Sequence, residues 1–122
     1  MSTSLEISFE PTAQAPALAR AVVAAAYSDE LPAVTLQDLK VIVTELVTNS
    51  WRHAPGGSIR LSVEPGRSGI EGRVEDDGHE AFGMGEITDE GGLGLHIVDA
   101  LARDWEIAEA GGVVRFSLDD LH

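Results

Sequence analysis

Leu5, Ile7 and Phe9 alternate with Ser4, Glu6, Ser8 and Glu10, the two-residue period of a half-buried strand. Pro16 suits the first turn of a helix. The apolar run behind it predicts a short helix to about Tyr27, with Leu18, Val22 and Val23 facing a core. Asp29-Glu-Leu-Pro32 interrupts the run. A longer helix follows from about Leu36 to Ala54, with Thr35 as N-cap and Asp38 completing a capping-box-like pattern. Leu36, Leu39, Val43, Leu46 and Val47 form its apolar stripe.

Pro55-Gly-Gly57 ends that helix, and Ile59, Leu61 and Val63 then alternate with Ser58, Arg60, Ser62 and Glu64 as a second strand. The turn Pro65–Gly69 leads into a third strand, Ile70–Asp76. From Asp77 to Gly92 no period survives and glycine recurs, which marks a functional or mobile loop in so small a domain. A third helix, about Leu93–Arg103, precedes two strands near Trp105–Ala108 and Val113–Leu118, paired as a hairpin across Gly111-Gly112. The order β-α-α-β-β-loop-α-β-β predicts an α/β (α+β) two-layer sandwich. Its mixed sheet of about five strands would carry the helices on one face.

The 122 residues make one domain, 1–122, large enough for a single core. No repeat, linker or low-complexity tail is visible. The net charge of −13 weighs against nucleic acid as a partner, because that affinity rests on Lys and Arg neutralising phosphates. A protein partner with a basic face stays open. Cysteine is absent, so neither disulfides nor thiolate chemistry enters. His53, His79, His96 and His122 form no metal pattern. The run Ala15–Tyr27 is too short to span a membrane, and its acidic flank is unlike a secretory signal. The cytoplasm is the expected compartment.

Three places carry chemistry. On the long helix Asp38, Glu45, Asn49 and Arg52 share a second stripe, so Glu45 and Asn49 stack one turn apart. A carboxylate beside a carboxamide on a partly apolar face suits a base next to a metal ligand; a solvated polar face gives the same letters. On the third strand Asp76 shares the apolar face with Ile70, Gly72 and Val74, pointing inward where a carboxylate needs a donor. An Asp capping its own turn is the alternative. Gly91-Gly-Leu-Gly-Leu95 opens the third helix, where free N–H groups and the helix dipole favour an anion; a glycine hinge reads alike. Acidic residues crowd this stretch, and no Lys or Arg lies between residues 74 and 102. A polyphosphate there would need a divalent cation, and Asn49 offers the kind of oxygen Mg²⁺ prefers.

In order, these pieces resemble the GHKL (Bergerat-fold) ATPases, the ATP-binding fold shared by DNA gyrase, heat-shock chaperone ATPases, histidine kinases and mismatch-repair ATPases. Glu45-Leu-Val-Thr-Asn49 with Arg52-His-Ala54 looks like the N box, Val74-Glu-Asp-Asp-Gly78 like the first glycine box, and Gly92-Leu-Gly-Leu95 like the second. The likeness covers nearly the whole chain and is strongest to the stand-alone anti-sigma-factor serine kinases of bacteria, histidine-kinase-like ATPase domains. The resemblance implies ATP and Mg²⁺ as ligands, with Asn49 holding the metal and Asp76 accepting from the adenine amino group. Gly78 would let adenine lie against the backbone. Gly92, Leu93, Gly94 and Leu95 would cradle the phosphates, residues 79–91 would form a short lid, and Glu45 would be the general base. It further implies an anti-sigma-factor antagonist as the serine substrate, a sigma factor as the other partner, and a homodimer.

Two departures stand out. Glu80 occupies the place of the second glycine in the first glycine box, where a negative side chain would crowd the nucleotide. Val113 replaces a small hydroxyl residue on the closing strand, which removes one adenine-side contact. They favour an alternative, a catalytically degenerate nucleotide-binding module that sequesters a regulator. A detached histidine-kinase catalytic domain ranks below both, since the lid is short and no phosphoacceptor helix hairpin is seen ahead of it.

Overall fold

The computed structural model describes residues 4–53, 57–66, 69–76, 93–108 and 112–119. Its elements are β1 (Leu5–Phe9), α1 (Ala15–Tyr27), α2 (Ala33–His53), β2 (Ile59–Pro65), β3 (Gly69–Asp76), α3 (Leu93–Leu101), β4 (Asp104–Ala108) and β5 (Val113–Asp119). The five strands form one sheet in the order β1-β2-β3-β5-β4. Every pairing is antiparallel, so the expected two-layer α/β architecture holds while the sheet is antiparallel rather than mixed.

The register aligns one apolar face across all strands. Leu5, Val63, Gly72, Phe116 and Trp105 lie in one cross-strand row, and Ile7, Leu61, Val74, Val114 and Ile107 in the next. This face packs with Leu39, Ile42, Val43, Leu46 and Val47 of α2 and with Val98 of α3 into a single core. Gly72 is where it is because the Phe116 ring lies over it; a Cβ at that position would run into the ring. The other face carries the charged residues, as an antiparallel sheet covered on one side allows.

Two helix boundaries and one helix face differ from the sequence expectation. Helix α2 begins at Ala33, and Leu36 already donates to the Pro32 carbonyl at 2.9 Å, so Thr35 sits buried inside the first turn instead of capping it. Helix α3 stops at Leu101, because the Arg103 amide donates to the Ser117 carbonyl of β5 at 2.8 Å and starts the next strand pairing. In α1 the buried positions are Ala15, Ala19, Val23 and Tyr27, while Leu18 is 53% exposed. The small residues at i, i+4 and i+8 let α1 approach α2 closely, and that stripe outranks the bulkier Leu18. Among the described residues no helix is long and apolar enough to cross a membrane.

Candidate functional site

Helix α2 delivers Glu45 and Asn49 one turn apart, about 6 Å along the axis. Their burial differs. Asn49 is 6% exposed, at the margin of the core, whereas Glu45 is half-buried. The helix surface beside them is settled locally: the Thr44 hydroxyl donates to the Lys40 carbonyl at 2.7 Å and the Thr48 hydroxyl to the Thr44 carbonyl at 2.6 Å. Asn49 is not settled. Its side-chain Nδ2 is buried and makes no hydrogen bond among the described residues. Leaving a buried amide group unbonded costs about 1–3 kcal/mol, so this side chain is suited to contact a ligand. A half-turn of the carboxamide presents its oxygen at the same point, the donor type Mg²⁺ takes.

Strand β3 delivers Asp76. Its register partner is Ile59, which in turn faces Phe9, and both are buried. Asp76 therefore points to the core face, as alternation predicts, with Oδ1 sealed from solvent. Its backbone N–H donates to the Gly112 carbonyl at 3.0 Å, which ties the strand end to the start of β5. The inward direction expected for Asp76 puts it on the helix-covered side of the sheet, and α2 packs on β3.

Leu93, Gly94 and Leu95 form the first turn of α3, which starts where the sequence places it. Gly78, Gly92, Glu80 and the expected lid at 79–91 lie outside the described residues. Val113 is the register partner of Glu75 at the start of β5 and is buried.

Sequence reasoning missed the charged cluster behind Asp76. Arg60 and Glu75 are register partners and form an ion pair, and Arg73 Nε lies 3.5 Å from Glu75 Oε1. Strand alternation puts all three on the face opposite Val74, and the register brings them together. On the same face a concavity of about 910 Å³ is lined by Glu6, Ser62, Arg73, Arg115 and Glu106 among others. None of the described residues of the expected site borders it.

The two-layer α/β sandwich thus carries, among its described residues, a buried amide without a hydrogen bond on its long helix and an inward carboxylate on a central strand. The model of one family, the histidine kinase-like ATPase domain, matches residues 7–118, and the chain belongs to that family. The family implies ATP as ligand, typically with Mg²⁺. No curated protein gives a significant match to the chain.

Proposed function

We propose that this domain is an ATP- and Mg²⁺-dependent serine/threonine protein kinase of the anti-sigma-factor type. It would phosphorylate an anti-sigma-factor antagonist, bind a sigma factor, and work as a cytoplasmic homodimer. The observation that carries the reading is the buried Asn49 amide, without a hydrogen-bond partner among the described residues and one turn from the half-buried Glu45.

In this reading Asn49 would hold Mg²⁺ through its side-chain oxygen, which would supply positive charge against the ATP phosphates. Asp76 accepts a hydrogen bond from the adenine amino group, which fixes the base and selects adenine. The backbone at Gly92, Leu93, Gly94 and Leu95 approaches the phosphates, and Gly78 gives adenine room. Glu45 takes the proton from the serine hydroxyl as its oxygen bonds to the γ-phosphorus. The bond from that phosphorus to the bridging oxygen breaks, and ADP leaves with the electron pair.

A sequestering module without transfer is the second reading, favoured by Glu80 in the first glycine box. Incubating the chain with labelled Mg-ATP and serine-bearing antagonist proteins separates the two. Transfer of label to serine, reduced about 10²–10⁴-fold in Glu45→Gln, supports the kinase. Nucleotide binding with no transfer to any antagonist selects the module.

A further inference from the structure

Asp76 is the last residue of β3, and the end of a strand is where pleat and twist are least constrained. If its carboxylate reads adenine, its direction must be held within a narrow range. The residue before it supplies a hold from the opposite face. Glu75 is ion-paired by Arg60, its register partner on β2, and approached by Arg73 from two residues back on its own strand. Its side chain is 20% exposed, against 40% for each arginine, so the carboxylate is the sheltered member of a three-charge cluster. The opposite flank of the strand end is fixed by the bond from the Asp76 amide to the Gly112 carbonyl.

Rotating the end of β3 to swing Asp76 off the core face would turn Glu75 the other way, out of reach of both arginines. We propose that Arg60 and Glu75 are positioning residues for Asp76: a clamp on the solvent face of the sheet that sets the pleat on which adenine recognition depends. The inference rests on the assignment of Asp76 to adenine proposed above. Alternation puts the clamp on the face away from the nucleotide, so neither residue touches it.

Removing the charge at Glu75 also lowers the general repulsion of an anionic ligand, which alters every nucleoside triphosphate alike. The ratio of affinities for ATP and ITP cancels that effect, because inosine lacks the amino group that Asp76 would accept from. The experiment is titration calorimetry of Mg-ATP and Mg-ITP on the parent, Glu75→Gln, Arg60→Gln and Arg60→Lys, with thermal unfolding of each. A partly exposed pair is worth up to about 1 kcal/mol, or about fivefold. The expected result is a parent that prefers ATP, a preference reduced by about fivefold in Glu75→Gln and Arg60→Gln, and its retention in Arg60→Lys. A lowered melting temperature with the ATP preference unchanged makes the cluster merely structural and overturns the clamp. A parent that binds both nucleotides equally overturns the assignment of Asp76 itself, a failure distinct from the first.

Discussion

Gly72 and Tyr27 show how single residues set this fold. A Cβ on Gly72 would meet the Phe116 ring directly across the β3–β5 pairing. Gly72→Ala should therefore overpack the core and destabilise the chain by about 1–3 kcal/mol in urea unfolding. Tyr27 is fully buried, and its hydroxyl donates to the Val63 carbonyl at 3.3 Å. Burial, with Glu30 and Glu64 adding to it, pushes its pKa up from 10.0 to about 12. The folded state then keeps the phenol proton where the unfolded state has lost it. The stability this provides is complete below pH 10 and lost as pH rises towards 12. Tyr27 is the chain's one tyrosine, so phenolate absorbance reads it without assignment. The native titration should lie above that of the urea-unfolded chain, and coincidence of the two would refute it. At this scale the sequence was legible for Asn49 and Asp76, because helix and strand periods fixed their faces. It was silent on Arg60 and Glu75, whose meeting depends on register.

At the scale of elements, periodicity located every strand, but the helix faces were read less well. Leu18 was expected in the core by hydrophobicity, yet α1 packs through Ala15, Ala19, Val23 and Tyr27. The reason is distance: small side chains let two helices approach, and a pattern of apolar letters does not say which ones touch. Leu18→Ala should change stability by less than about 0.5 kcal/mol, as for an exposed position. Ala19→Leu should cost about 1–3 kcal/mol by wedging α1 from α2. Equal costs for the two in thermal unfolding would mean that α1 is rotated from the arrangement described. Helix α2 was expected from Leu36 and starts at Ala33; Thr35 has the right letter for a cap, but the helix begins beside Pro32. On α2 Ile42 also joins the buried stripe, widening the face that carries Asn49 to the core margin.

For the whole molecule, topology ties the site together. The strand order puts β3 at the centre of the sheet, with its Asp76 end beside the start of β5, and α2 packs on the same strand. A chain of net charge −13 has little cationic surface to offer a polyphosphate, so affinity for ATP should depend on a divalent cation and on the residue that holds it. The measurement that tests this most directly is thermal unfolding of the parent and of Asn49→Ala, each with ATP in the presence and absence of Mg²⁺. Ligand at about 100 times its dissociation constant adds about 2.7 kcal/mol, a rise of several degrees. That rise is expected for the parent with both ATP and Mg²⁺, and its loss in Asn49→Ala. A rise that survives Asn49→Ala, or no rise for the parent at millimolar Mg-ATP, would overturn the Asn49 site.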